Sequence, residues 1–484
     1  MNDNSFRSEP TTGKRTSFLD RTLRNLKGAW RTIAGSSYDA SAASSRPDLP
    51  DDDLGPLREQ MQACLATRGG EVSARARAAA LGHVYLALDQ KGRGRFLEVL
   101  ARDFDVDSKA VDAAVEDLRG AAGEKARHKA EAALRKALEA PRIKLLTQFN
   151  ALPDGVKFLV DMRAELMAIK SHHPALAGLE QELKALLKTW FDVDFLELRR
   201  ITWNTASAAL LEKLIAYEAV HAIESWDDLK NRLDSDRRCF AYFHPRMPDE
   251  PLIFVEVALV NGLAGNIQTL LDENAPVTDP RAADTAIFYS ISNAQKGLAG
   301  ISFGNFLIKR VADALSSEFK GLKTFATLSP IPGFMGWLEH KLAEGEPKLL
   351  TERERKVLSA AVGRASGAKG TLKSLLASAT WQDDKTASEA MRDPLMRLCL
   401  RYVAEEKAIG GRALDPVAHF HLSNGASIER LNWKADLSPK GRQQSAGMML
   451  NYLYDLGRVE ENHEAYTSDG KVRLSAAARG ILKG

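Results

Sequence analysis

The chain has 484 residues, 44% apolar and 27% charged, which is too long for one ordinary core and predicts a globular protein of more than one domain. Its 67 lysines and arginines barely outnumber 64 aspartates and glutamates, so no domain-wide positive field selects nucleic acid as the main partner, and any anion site has to be local. Cys64, Cys239 and Cys399 stand far apart with no CxxC or Cys/His cluster, which argues against a disulfide framework or a zinc site and fits a reducing compartment.

Residues 1 to about 50 are rich in Ser, Thr, Asp, Arg and Pro and end in "SSRPDLPDDDLGP"; they are expected to form a loosely ordered tail, because they carry too little apolar surface to offset ordering entropy. Within it, "SFLDRTLRNLKGAWRTIAG" sets Leu19, Leu23, Leu26, Trp30 and Ile33 on one helical stripe, suited to docking on its own protein or to a surface or import role. No apolar run reaches the roughly 18 to 20 residues of a membrane span, and no short apolar core of a signal peptide is present, so neither secretion nor insertion is expected. From 51 to 189 the text is dominated by Ala, Leu, Glu, Lys and Arg at helical spacing, as in "EKARHKAEAALRKALEA", and predicts an all-helical domain for packing or assembly.

Composition changes near residue 190, where a mixed α and β domain is expected to run to 484, making the fold class α+β overall. "CFAYFHP" and "PLIFVEVALV" read as adjacent strands, the second apolar on both faces apart from Glu256 and therefore covered on both sides. "TAIFYSIS" is a third strand and runs into "NAQKGLAGISFGNFLIK", after which Leu307, Val311, Ala314, Leu315 and Phe319 fall at helical spacing, followed by "KTFATLS" as another strand. A helical insertion is expected over about 336 to 410. "VAHFHLSNGASIERLNW" then alternates and reads as a hairpin about Asn424-Gly425, with His419 and His421 on one strand face.

The glycines at 297, 300 and 304 match neither GxxxxGK[ST] nor GxGxxG, which disfavours a Walker loop and a dinucleotide fold. Two readings remain. Glycine lets a ligand approach backbone N–H groups at a helix start, which suits a pyrophosphate, and it also serves a tight turn or close packing with no ligand at all. Ser329, ahead of Pro330 in "LSPIPGF", is a rigidly presented hydroxyl that by itself is as well read as a turn residue. His419 and His421 could also form half of a metal site, for which no third ligand lies nearby in sequence.

Several long stretches taken together, "FYSISNAQKGLAGISFGNFLIKRV", "FATLSPIPGFMGWL", "PLMRLC", "DPVAHFHLSNGASIERLNWKADLSPKG" and "GMMLNYLY", resemble the malonyl-CoA decarboxylase family over about residues 190 to 460. The resemblance implies a helical domain followed by a catalytic domain like that of the GCN5-related acetyltransferases, converting malonyl-CoA to acetyl-CoA and CO2 without metal or organic cofactor. It implies Ser329 and His421 as the catalytic pair, and Ala299, Gly300, Ile301, Ser302, Phe303, Gly304 and Asn305 as the segment contacting malonyl-CoA. Ser302 stands where some relatives carry an acidic residue, so any role of that carboxylate is absent or reassigned. The resemblance further implies a tetramer built on dimers. The C-terminal "ILKG" is not a peroxisomal address, and the expected location is cytoplasmic, in a bacterium, with mitochondrial import as the alternative.

Asn424, Asn432 and Asp436 are candidate supports equally suited to turn hydrogen bonds. Tyr454 is a second-tier candidate for a group near the thioester, with core packing as the plainer reading, and Lys213 reads as a solvated-face lysine. The rival functions are an acyltransferase using the same CoA segment and a non-enzymatic acyl-CoA-binding assembly protein.

Overall fold

A computed structural model describes residues 40–66, 71–172, 174–191, 195–301, 307–346, 348–362, 368–376 and 381–483; the apolar stripe from Leu19 to Ile33 lies outside them. Two compact units result: the chain through Phe191 together with Gln295–Ile301, and the remainder.

The first unit is helical, as expected. Its helices close on Tyr85, Phe96, Phe149 and Phe158, each no more than 2% exposed, with the Tyr85 ring meeting Phe96 and Phe158 edge-on at 5.0 and 5.5 Å. Residues 40 to 49, which composition placed in a loose tail, are built into this unit. Ala40–Ser45 is helical, Leu49 is buried, and the Asp89 N–H donates to Pro47 O at 2.9 Å. Leu49 supplies the apolar burial that the average composition of the tail concealed.

Deep in this unit, Arg163 on the helix Gly155–Ile169 is 1% exposed and pairs with Glu180 on Pro174–Trp190 at 2.7 Å. Burying an ion pair needs further hydrogen bonds to offset lost hydration. Arg163 finds them on the Gly297 and Ala299 carbonyls, the second at 3.0 Å. A Cβ at Gly297 would lie 1.7 Å from Val160 O, so residue 297 must be glycine for the backbones to meet.

The second unit is built on an eight-stranded mixed sheet: β1 (Glu197–Ile201), β2 (Arg237–His244), β3 (Met247–Val260), β4 (Thr285–Asn293), β5 (Thr324–Thr327), β6 (Ser329–Pro330), β7 (Ser427–Asn432) and β8 (Met449–Leu453). The order is β1-β2-β3-β4-β5-β8-β6, with β7 also paired to β8. Every residue of β2, and β3 from Glu250 to Leu259, is buried, in keeping with their apolar runs. Among the described residues, four helices between Phe334 and Ala404 form the expected insertion.

Among the eight described strands, one pairing is parallel. β4 and β5 run side by side from Thr285↔Thr324 to Phe288↔Thr327, and the Leu328 N–H still donates to Phe288 O at 3.0 Å. Beyond that point β4 continues to Asn293, whereas Ser329 and Pro330 pair with Leu450 and Met449 of β8. The two strands part at their C-terminal ends, the place where sheets of this kind open a crevice.

The hairpin expected over 416–433 is not formed. Pro416–Ser423 is an α-helix and only Ser427–Asn432 is a strand. The physical reason lies at the helix ends. The Asp415 carboxylate accepts from the Val417 and Ala418 N–H groups at 3.0 and 2.9 Å, Pro416 occupies the first turn, and Gly425 follows the last turn at φ +82°, with Val459 O only 2.1 Å from where a Cβ would be. These caps outweigh the alternating pattern.

The packing at Gly297 yields the first prediction. Gly297→Ala forces a methyl into backbone and should cost about 3 kcal/mol or more, lowering the unfolding temperature. Gly300→Ala adds the strain of a left-handed backbone at φ +71° but meets only the Lys184 side chain, at 3.2 Å, so it should be milder. Thermal unfolding of both variants checks the ranking.

Candidate active site

The parting of β4 from β6 leaves a cavity of about 260 Å³, lined by Phe288, Tyr289, Ile291 and Asn293 of β4, Ser329 and Pro330 of β6, Pro416, Val417, Phe420 and His421 of the 416–423 helix, and Val220. Its size is below the roughly 300 to 1,000 Å³ of sites that enclose a drug-sized ligand, and it suits a small acyl group.

Strand alternation puts Thr327 and Ser329 on one face, and the Ser329 hydroxyl donates to Thr327 Oγ1 at 2.8 Å. Thr327 Oγ1 is fixed by the Tyr452 N–H at 3.1 Å, and Thr327 O accepts from Asn451 Nδ2 at 2.6 Å. The helix brings His421 Nε2 to 3.0 Å from Ser329 Oγ. On the other side of the ring, Nδ1 lies 2.9 Å from the Tyr454 hydroxyl, and the ring stacks on Tyr452 with centroids 4.5 Å apart.

These contacts select a protonation state. His421 is 2% exposed, and burial pushes its pKa down to about 3, so the imidazole is neutral near pH 7. A neutral ring offers one donor and one acceptor. Because the Ser329 proton points to Thr327, Nε2 carries the ring proton and donates to Ser329 Oγ, and Nδ1 accepts from the Tyr454 hydroxyl. The result is a relay of uncharged groups, Tyr454 to His421 to Ser329 to Thr327, buried throughout. Burial also raises the Tyr454 pKa, which keeps its proton in place.

The two histidines do not share a face. Separated by two helical positions, they point about 200° apart, and His419 Nδ1 lies 2.9 Å from the Tyr466 hydroxyl. Among the described residues no group of three or more His, Cys, Asp or Glu is placed to hold a metal. Tyr454, which reads from sequence as core, belongs to the relay. Thr327 and Tyr452 were not anticipated, although Thr327 sits at the same-face position two before Ser329. Asn424 caps its helix through Phe420 O, Asp436 accepts from the Ser438 N–H, and Asn432 reaches the relay only through Asn451. Lys213 is not solvated: it is ion-paired to Glu250 at 2.7 Å and also donates to Asp249 O.

Of the glycine segment, Ala299, Gly300 and Ile301 are described; Ile301 is buried, and Gly300 has φ +71°. Ser302, Phe303, Gly304 and Asn305 lie outside the described residues.

Comparison with known proteins finds the malonyl-CoA decarboxylase N-terminal domain matched over residues 104–191 and the C-terminal domain over 194–484. The mitochondrial malonyl-CoA decarboxylase of Mus musculus is 40% identical over 399 residues, which span 79% of this chain and 80% of the mouse protein. The crystal structure of malonyl-CoA decarboxylase from Rhodopseudomonas palustris is 41% identical, with a TM-score of 0.81 over 88% of this chain and 99% of that one. The Agrobacterium vitis structure is 39% identical, with a TM-score of 0.78 over the same shares.

Burial of a neutral histidine links stability to pH. The unfolded ring takes up a proton near pH 6.5 and the folded ring only near 3, so stability is full above 6.5 and falls as the pH drops toward 3. His421 alone contributes a loss of about 2 kcal/mol by pH 5. The unfolding temperature of the wild type should therefore fall more between pH 7 and pH 5 than that of His421→Asn. Equal slopes would refute the neutral assignment.

Proposed function

The chain belongs to the malonyl-CoA decarboxylase family, and we propose that Ser329, His421 and Tyr454 carry out its conversion of malonyl-CoA to acetyl-CoA and CO2 in the cavity between β4 and β6. The observation that supports this most is the buried 3.0 Å contact between Ser329 Oγ and His421 Nε2 on the wall of an otherwise largely apolar, acyl-sized cavity.

Cleavage of the bond between the α-carbon and the carboxylate releases CO2 and leaves the electron pair on the α-carbon and the thioester oxygen, so the thioester is its own electron sink. The Ser329 hydroxyl turns from Thr327 to hold the substrate carboxylate. Against Phe288, Ile291, Val417 and Phe420, that anion has far fewer donors than water would give it, which favours departure as neutral CO2. The acid is the neutral imidazole. Its Nε2 proton passes to the α-carbon, directly or by exchange through the Ser329 hydroxyl, and a weak acid of this kind is matched to a strongly basic carbon. Tyr454 donates to Nδ1 and disperses the negative charge that grows on the ring. Water restores the proton once product leaves.

The assignment of Ala299, Gly300, Ile301, Ser302, Phe303, Gly304 and Asn305 to the CoA portion rests on the family resemblance, as do a homotetramer built on dimers and an acetyltransferase-like catalytic fold. A cytoplasmic location is supported by the bacterial sources of the solved relatives, against the mitochondrial names of the vertebrate ones.

His421→Asn should lower kcat by about 10²-fold or more with little change in KM. Ser329→Ala should also lower kcat, and the double variant should be only slightly worse than the poorer single one, since groups that act as one unit fail together. Tyr454→Phe should lose about tenfold in kcat. His419→Asn, whose ring faces Tyr466, should retain near-normal turnover. The assay is CO2 and acetyl-CoA formed from malonyl-CoA with no acyl acceptor, which also separates this reaction from acyl transfer. An active His421→Asn beside a dead His419→Asn would reverse the assignment.

A further inference from the structure

Among the described lining residues Val220 is the one from an irregular segment, and that segment is tied down to an unusual degree. Glu218 folds back so that its carboxylate accepts the N–H groups of Val220 and His221 at 2.7 and 2.9 Å. The Ala219 N–H donates to Ser292 Oγ at 3.2 Å. Lys440 Nζ donates to Ala219 O and Val220 O at 2.7 and 3.0 Å, and Arg232 donates to His221 O and Ala222 O at 2.9 and 3.0 Å. Both anchors of the inner side are themselves fixed: Glu218 accepts from Ser290 Oγ at 2.7 Å, and Arg232 is buried against Asp228 and Glu256.

Loops are ordinarily mobile, and a mobile wall would yield to a larger substrate. This one cannot yield without breaking several hydrogen bonds at once. We propose that the clamped loop 218–222 makes Val220 a steric stop against any substituent on the α-carbon, so that the site distinguishes malonyl from α-alkylmalonyl thioesters by exclusion. The inference rests on Ser329 and His421 as the reacting pair, because their polar atoms fix where the α-carbon must lie, in a cavity of about 260 Å³ whose other walls include Phe288, Ile291 and Phe420. One added methyl in an apolar pocket changes kcat/KM by roughly 10- to 200-fold, and a fixed wall places that factor against the larger substrate. Lys440 acts through the loop and is a positioning residue.

The test compares kcat/KM for malonyl-CoA and racemic methylmalonyl-CoA in the full-length protein. The ratio of methylmalonyl to malonyl should rise about tenfold or more in Val220→Ala and fall further in Val220→Ile. Lys440→Met, which leaves Val220 in place and only loosens the loop, should raise the same ratio by a smaller factor. General destabilisation would depress both substrates alike and leave the ratio where it was. A ratio unchanged in folded Val220→Ala and in Lys440→Met overturns the proposal. The reading of the reacting pair fails separately, if Ser329→Ala turns over malonyl-CoA at the wild-type rate.

Discussion

β4 and β5 share hydrogen bonds for four residues and then cannot continue, because Ser329 and Pro330 are claimed by β8. The chemistry depends on that divergence. A parallel pair that stayed together would leave no space at its carboxyl end. Thr327 is the last common residue, and it is held from three sides: by Phe288 across the parallel pair, by the Tyr452 N–H at its hydroxyl, and by Asn451 at its carbonyl. A strand fixed so firmly just before it departs delivers the next side chain on its face, Ser329, with little freedom. The 416–423 helix, fixed by Asp415 at one end and by the close approach of Gly425 to Val459 at the other, then brings the imidazole to meet it.

Two kinds of buried polarity lie side by side in this unit. At the reaction centre every group is neutral, and burial keeps it so by lowering the histidine pKa and raising that of Tyr454. Behind the 218–222 loop the groups are ionisable, with Arg232 paired to Asp228. Glu256, the lone polar residue in the apolar run of β3, is driven upward in pKa by burial and by Glu218, while Arg232 opposes both. Charged clusters of this kind are weak sources of stability, and an apolar replacement is often no worse. Their value here is geometric, since Arg232 and Glu218 together hold four backbone groups of a loop that has no helix or strand of its own.

Much of the architecture was legible because burial writes itself into composition. The helical unit follows from its Ala, Leu, Glu and Lys text, and β2 to β4 from continuous apolar runs. The 416–423 helix was misread for a definite reason: "VAHFHL" alternates as a strand would, and the signals that decide the matter are at its borders, Asp-Pro before and Asn-Gly after. Of the site, Ser329 and His421 were identified by resemblance, whereas same-face alternation on β5 and β6 could have added Thr327. Tyr454 was a second-tier candidate by resemblance, but its contact was not legible, because a tyrosine after a strand gives no sign that its hydroxyl meets an imidazole 33 residues away in sequence. Likewise, the glycine pattern 297–304 was open between ligand approach and close packing, and Gly297 resolves to packing through a carbonyl on a helix more than 130 residues upstream.

The position of Gln295–Ile301 bears on how this protein could ever be cut or recombined. By sequence the two halves look like separable modules with a seam near residue 191, where the two family domains meet. Structurally, seven residues from deep within the second half are built into the first, capping a buried arginine and filling a groove that admits only glycine. A cut made at the seam would strand Arg163 beside Glu180 without its two carbonyls, and a graft there would have to rebuild both contacts with another relative's segment. The halves are thus bound to vary together, and an exchange between relatives would have to carry the helix Gly155–Ile169 and the segment 295–301 as one inheritance.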